Sequence, residues 1–142
     1  MAIHERPSGY AFIREHDGLI LMVQPAWRPI WELPGGGIEQ GEDMLAGIHR
    51  ELMEETGYRA VLSERPIYEA FVRFYDIDGG ERRYCHARIR VHAGSLLGPR
   101  RDHDPVPAAA VGEIVRIGWL SRQDLTEQNC QRVHWPMLER LR

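Results

Sequence analysis

The apolar and polar positions of this chain fall into short strand-like runs, interrupted by one long segment of helical period. Residues 9–15, Gly-Tyr-Ala-Phe-Ile-Arg-Glu, and 19–24, Leu-Ile-Leu-Met-Val-Gln, predict two strands joined by a turn at His16-Asp17-Gly18. The second is a continuous apolar run, the pattern of a strand covered on both faces. Residues 31–33 read as a short extended piece that runs through Pro34 into Gly35, Gly36 and Gly37. Met44, Leu45, Ile48 and Leu52 then recur at helical spacing, and Gly57 stops the helix.

Beyond it, residues 59–62 make a short strand, Pro66 breaks the chain, and 67–76 form a longer strand with Tyr68, Ala70, Val72 and Phe74 on one face. Asp78-Gly79-Gly80 carries hairpin turn chemistry. The return strand, 82–93, alternates Arg83, Cys85, Ala87, Ile89 and Val91 on a buried side against Tyr84, His86, Arg88, Arg90 and His92 on a polar one. Residues 98–112 read as a loop and 113–120 as a last strand. Ser121 caps a turn, and a helix beginning at Asp124 or Thr126 carries Val133, Met137, Leu138 and Leu141. Strands interleaved with two well-separated helices predict an α+β domain over residues 1–142, with a mixed β-sheet covered on both faces.

Composition narrows the chemistry. At 142 residues, 43% hydrophobic and 27% charged, the sequence has the balance of one globular domain. A net charge of −3 gives no reason to expect general nucleic-acid or membrane binding. No apolar run approaches the ~20 residues of a membrane span, and the opening residues lack the apolar core of a signal peptide. Cys85 and Cys130 lie far apart, with no metal-binding or disulfide pattern, so a reducing cytoplasm is the expected compartment. All 18 basic residues are arginine. That excludes a P-loop and Schiff-base chemistry, which need lysine, and leaves phosphate contacts to arginine forks and backbone amides.

The candidate chemistry lies in the helical segment. Glu51, Glu54 and Glu55 fall within roughly a third of the helix circumference, and Glu55 projects onto the edge of the apolar stripe. Like charges at these spacings cost roughly 0.2–0.5 kcal/mol per pair, and the negative end of the helix dipole disfavours them further. Arg50 offsets only part of this. A cluster so placed calls for a cation, and carboxylate oxygens suit magnesium or manganese.

The spacing Gly36-x5-Glu42-x7-Arg50-Glu51-Leu52-x-Glu54-Glu55-x-Gly57-Tyr58 resembles the Nudix box, the signature of the Nudix hydrolases. Every specified polar or glycine position matches. Tyr58 stands where the family usually has an aliphatic residue, and Gly47 replaces the usual alanine, which should weaken the helix by about 1 kcal/mol.

The resemblance implies a three-layer α/β/α sandwich with a mixed sheet, and hydrolysis of a nucleoside diphosphate linked to another group, with Mg2+ as cofactor and Mn2+ as a substitute. Modified nucleoside triphosphates and nucleotide sugars are the expected substrate types. It makes Glu54 and Glu55 the main metal ligands, with Glu51 completing the cluster and available as base. Arg50 would orient a glutamate through a bidentate pair, and a carbonyl of Gly35 or Gly36 would add a ligand. Glu42 would contribute through water or act as a favourable anion in the first helical turn. Dimers are common in such proteins, so a homodimer is a candidate state. The competing reading is a nucleotide-binding module without turnover, for which a damaged box would be expected; this box is intact.

Outside the box, Asp102 and Asp104, then Glu113, are candidates for a further acid. Arg28, Arg73, Arg82, Arg88 and Arg90 are candidates to meet phosphates. Trp27, Trp31, Tyr10 and Tyr84 are candidates to stack on a base. His86 and His92 show no metal-ligand pattern and read as structural.

Overall fold

The computed structural model describes residues 3–5, 7–26, 28–101 and 114–142. The elements follow as β1 (Ile3–Glu5), β2 (Ser8–Ile13), β3 (Ile20–Pro25), β4 (Gly35–Gly37), α1 (Met44–Thr56), β5 (Ala60–Leu62), β6 (Tyr68–Asp78), β7 (Glu81–Leu96), β8 (Ile114–Leu120), a 3-10 turn (Arg122–Asp124) and α2 (Trp135–Glu139).

The long strand β7 organises the main sheet. Along one edge β1 and β2 run parallel to it, with Ile3 opposite Tyr84 and Tyr10 opposite Val91. Along the other edge β6 and β5 run antiparallel, with Phe71 opposite Arg88 and Val61 opposite Ser95. Outside β2, β4 closes the sheet antiparallel, and β3 pairs with β8 as a separate ribbon. Gly79 and Gly80 both have positive φ, 60° and 85°, as a type I′ turn between β6 and β7 requires.

Side chains alternate through the sheet and build a core on each side. Ala11 and Ile13 of β2, with Leu21 of β3, pack against Ile48 and Leu52 of α1 and against Tyr58, Ala60 and Leu62. Phe12, Ile20, Met22, Leu33 and Val91 point the other way and bury Leu125, Met137 and Leu138. The result is the three-layer α+β sandwich with a mixed sheet. As expected for a strand covered on both faces, Ile20, Leu21, Met22 and Val23 are all fully buried.

Some elements depart from the pattern. The three glycines form a strand, β4, held by backbone pairing alone, with Gly36 opposite Gly9. No side-chain alternation could reveal it. The three residues of β1 are too few to show a period.

The C-terminal helix is confined to Trp135–Glu139, with Pro136 in its first turn. Upstream, side chains take the backbone groups a helix would use. Asn129 Oδ1 accepts from the Thr126 N–H at 2.8 Å, Thr126 Oγ1 accepts from the Asn129 N–H at 3.2 Å, and Asn129 Nδ2 donates to the Asp124 carbonyl at 2.9 Å. The backbone at 129–131 instead pairs with Trp31, through Trp31 N to Asn129 O at 2.7 Å and Gln131 N to Trp31 O at 2.9 Å. His92, expected on a polar face, is buried, because it stands opposite Ala11 on the face of the sheet that α1 covers. Its Nδ1 lies 2.8 Å from the Ser63 carbonyl.

Candidate active site

The geometry of α1 follows from its caps and its apolar stripe. Asp43 accepts a hydrogen bond from the Ala46 N–H, and Gly57, at φ 74°, donates its N–H to the Met53 carbonyl at 2.9 Å. Ile48 and Leu52 have no exposed surface and fix the rotation of the helix. The fit is close, since a Cβ on Gly9 would come within 2.6 Å of Ile48 Cγ1 and Met44 Sδ. With that rotation set, Glu51 and Glu55 meet β4. A Cβ on Gly36 would lie 3.1 Å from the Glu51 carboxyl carbon, so the strand backbone sits flush against that carboxyl. Gly35 has φ 148°, and a Cβ there would collide with the Gly9 carbonyl oxygen.

Arg50 is the hub of the helix's polar face. Its Nε and Nη2 donate to the two oxygens of Glu42 at 2.9 and 3.1 Å, the bidentate arrangement expected of a guanidinium on a carboxylate. Nη1 donates to Glu51 at 3.1 Å and Glu54 at 3.3 Å, and Nη2 also reaches the Gly37 carbonyl at 3.2 Å. Hydrogen bonding to Glu42 raises the Arg50 pKa further above its ordinary range, and the same bond lowers that of Glu42. Glu42 Oε1 also accepts from the Glu39 N–H at 3.0 Å, so Glu42 braces the helix start and Arg50. Gly47 lies beneath this brace, where a Cβ would meet Ile38 Cδ1 at 2.5 Å and Glu42 Oε1 at 2.9 Å. An alanine here would require the ends of the Ile38 and Glu42 side chains to shift.

Glu55 is buried, at 6% exposure, although it carries a carboxyl. Its Oε1 accepts from the Gly35 N–H at 2.9 Å, and among the described residues no arginine pairs with it. Burial pushes its pKa well above the usual carboxylate range, and the neighbouring carboxyls of Glu51 and Glu32 add to the rise. Glu51 stands close enough that its charge and hydrogen bonding also contribute to this rise.

Sequence reasoning missed Glu32, and singled out Tyr10 only as a candidate to stack on a base. Glu32, brought in by the backbone pairing of 32 with Val23, has its pKa raised by burial and restrained by Arg28 and a hydrogen bond from Gln131 Nε2 at 3.4 Å. Burial and the carboxyls of Glu32 and Glu55 likewise raise the Tyr10 pKa. The Tyr10 ring meets His134 edge to face at 4.3 Å. His134 is fully buried and neutral, its pKa held down to about 3 by desolvation, and its Nδ1 accepts from the Leu33 N–H at 3.2 Å. The available signal was position: Glu32 stands three residues before Gly35 in an extended stretch.

This donor set suits a hard divalent cation. A buried carboxyl with other carboxyls beside it is stable only when protonated or met by a cation, and all the side-chain donors are oxygens. Among the described residues no three His, Cys, Asp or Glu side chains stand at ligand spacing as they are, with Arg50 taking an oxygen each of Glu51 and Glu54.

The structure thus brings together Glu42, Arg50, Glu51, Glu54, Glu55, Gly35 and Gly36, leaves Gly57 as the cap of the helix that carries the acids, and sets Arg28 near Glu32. Arg73 and Arg88 lie elsewhere, on β6 and β7, where Arg88 covers Phe71 at 5.2 Å. Tyr10 packs against the core instead of offering a stacking face, and Trp31 packs over Gly118. Trp27, Asp102, Asp104 and Glu113 fall outside the described residues.

Residues 4–141 match the family model of the NUDIX domain. An RNA pyrophosphohydrolase of Helicobacter pylori (strain G27) is 36% identical over 75 residues, covering 46% of this chain and 48% of that protein. A Bacillus subtilis (strain 168) protein, provisionally named an 8-oxo-dGTP diphosphatase, is 40% identical over 70 residues, 44% of this chain and 47% of its own. The chain thus spans about half the length of these curated relatives. The crystal structure of the MutT protein from Methanosarcina mazei Go1 superposes with a TM-score of 0.70 at 21% identity, covering 99% of this chain and 94% of that one, which shows a common fold. With the box, the sandwich and the family model in agreement across nearly all of its length, the chain belongs to the Nudix family.

Proposed function

We propose that this chain is a magnesium-dependent hydrolase that cleaves a phosphoanhydride bond in a nucleoside diphosphate linked to another group, of the modified nucleoside triphosphate or nucleotide sugar type. The observation that carries the reading is the placement of Glu55: a buried carboxyl that accepts from the Gly35 N–H, lies beside Glu51 and has no basic partner among the described residues. Glu51, Glu54 and Glu55, with a carbonyl of Gly35 or Gly36, would hold Mg2+, or Mn2+ in its place. When bound, the ion neutralises the diphosphate and lowers the pKa of an attacking water.

The remaining work falls to the chain's own groups. Arg50 holds Glu51 and Glu54 at fixed angles through one guanidinium, itself anchored on Glu42 and the Gly37 carbonyl. Such preorganisation lowers the cost of reaching the reactive geometry. Glu51, flush against Gly36 and half-buried, is the group we assign to take the proton of the attacking water. We assign Arg28, whose charge acts on Glu32, to meet an entering phosphate. We assign the whole of residues 1–142 to one such domain. We also place it in the cytoplasm, in keeping with two buried, unpaired cysteines. Among the described residues no helix is long and apolar enough to cross a membrane.

The test is release of phosphate or pyrophosphate from a panel of nucleoside triphosphates, oxidised triphosphates, nucleotide sugars, dinucleotide cofactors and diadenosine polyphosphates. Each is measured with and without magnesium, beside the Glu55→Gln protein. Metal-dependent release that the substitution abolishes is the expected result, and the best substrate defines the specificity. Tight magnesium binding with no release from any member would favour a nucleotide-binding module instead.

A further inference from the structure

Strands β6 and β7 extend past their neighbours. Between residues 84 and 86, β7 is bordered by β1, but at 81–83 it pairs only with β6. One face of this ribbon carries Phe71, Arg73 and Tyr75 from β6, opposite Arg88, His86 and Tyr84 from β7. Phe71 is 72% exposed and Tyr75 53%, more than isolated surface aromatics need be. Arg88 lies 5.2 Å over the Phe71 ring and Arg82 lies 4.0 Å over the Tyr75 ring. The Tyr84 ring is 5.2 Å from Tyr75 and 5.1 Å from His86, so the rings follow one another along the ribbon.

The charge of this face differs from that of the chain. Arg73, Arg82, Arg88 and Arg90 stand against Glu5 and Glu69, four positive charges to two negative, while the chain as a whole carries −3. Glu69 is already paired with Arg90 at 2.8 Å, which leaves Arg73, Arg82 and Arg88 without an ion pair among the described residues. At the inner end of the ribbon Phe71, His86, Arg88, Glu5 and Pro7 line a cavity of about 300 Å3, and His86 Nε2 is buried there without a hydrogen-bond partner among the described residues. The Pro7 carbonyl accepts from Ile38 N at 2.9 Å, next to the Gly37 carbonyl that Arg50 holds, so the cavity adjoins the loop that leads into α1.

We propose that this arginine and aromatic face of the β6–β7 ribbon is a docking platform for single-stranded nucleic acid. Bases stack on exposed rings and on guanidinium planes, and arginines bind the phosphates between them. A second copy of the chain is the poorer occupant. A two-fold contact sets a patch against itself and would oppose arginines to arginines. The proposal does not depend on the hydrolase reading.

The test is fluorescence anisotropy of 5′-labelled single-stranded RNA and DNA dodecamers with the full chain, in EDTA at low salt, so that turnover plays no part. Binding is expected, with a logarithmic salt slope near −2 for three phosphate contacts at about −0.7 each. Phe71→Ala with Tyr75→Ala should weaken binding about tenfold or more without changing that slope. Arg73→Ala with Arg88→Ala should flatten it. A preference for RNA over DNA would assign part of the affinity to the 2′-hydroxyl; equal binding would assign it to stacking and phosphate contacts. No binding of either oligonucleotide by the folded wild-type chain overturns the proposal. So does unchanged binding by both double variants, or a dimer in sedimentation that Phe71→Ala and Tyr75→Ala dissolve.

Discussion

Replacing Glu55 with glutamine isolates what the buried acid costs the fold and what it gives the site. The amide matches the carboxyl in shape, still accepts from the Gly35 N–H, and carries no charge beside Glu51. In the folded wild type, burial keeps the carboxyl protonated well above its ordinary value of 4.5, whereas the unfolded chain releases that proton near 4.5. The folded state then binds more protons than the unfolded one, so stability is full at acid pH and falls as pH rises through the folded value. The loss is about 1.4 kcal/mol per pH unit while the folded carboxyl stays protonated. Glutamine removes this slope. In EDTA the two proteins should have similar stability near pH 5, and the Glu55→Gln protein should gain progressively above it. At this chain length each kcal/mol shifts Tm by about 4 °C. Magnesium should reverse the order: at a hundredfold excess over Kd it adds about 2.7 kcal/mol to the wild type, and nothing to a variant that cannot bind it. Urea unfolding followed by tryptophan fluorescence from pH 5 to 8, with EDTA or with magnesium, measures both effects. Parallel pH curves for the two proteins in EDTA would refute the buried-acid argument, and equal stabilisation by magnesium would refute the ligand role.

Other substitutions test the parts that hold Glu55 and its neighbours. Arg50→Lys keeps the charge but loses the fork that joins Glu42, Glu51 and Glu54; kcat should fall about tenfold to a hundredfold with a smaller change in KM, and unchanged kcat would remove Arg50 from the positioning role. Gly36→Ala places a methyl 3.1 Å from the Glu51 carboxyl, so activity should drop while stability, measured by thermal melting, stays within about 1 kcal/mol. Gly35→Ala, at φ 148° and against the Gly9 carbonyl, should instead cost at least about 1–3 kcal/mol; equal stability of the two alanine variants would contradict the geometry of β4. Leu52→Ala, at a position with no exposure, should lower stability by about 2–5 kcal/mol in urea at every pH, with none of the pH dependence of the Glu55 variant.

The sequence by itself determined the parts that depend on spacing along the chain. The apolar stripe of Met44, Leu45, Ile48 and Leu52 specified α1, and the positions of Arg50, Glu51, Glu54 and Glu55 relative to that stripe placed them together near its end. The hairpin at Gly79-Gly80 and the two-sided burial of residues 20–23 were legible for the same reason, since local period and turn chemistry act over a few residues. Tertiary structure decided what no period encodes. Three glycines became a strand because β2 lay beside them, and a carboxyl at the stripe's edge became a buried one because β4 closed over it. Glu32 and Tyr10 joined the acids only through strand pairing and packing, from positions with no motif of their own. The C-terminal segment stayed mostly non-helical because Thr126, Asn129 and Gln131 found partners that helix propensity does not count. Likewise, the arginines and rings of the β6–β7 ribbon became one face only when antiparallel pairing set Phe71 against Arg88 and Tyr75 against Tyr84. Spacing sets which side chains an element presents, but contacts between distant segments set the dielectric, the partners and the charge each one meets.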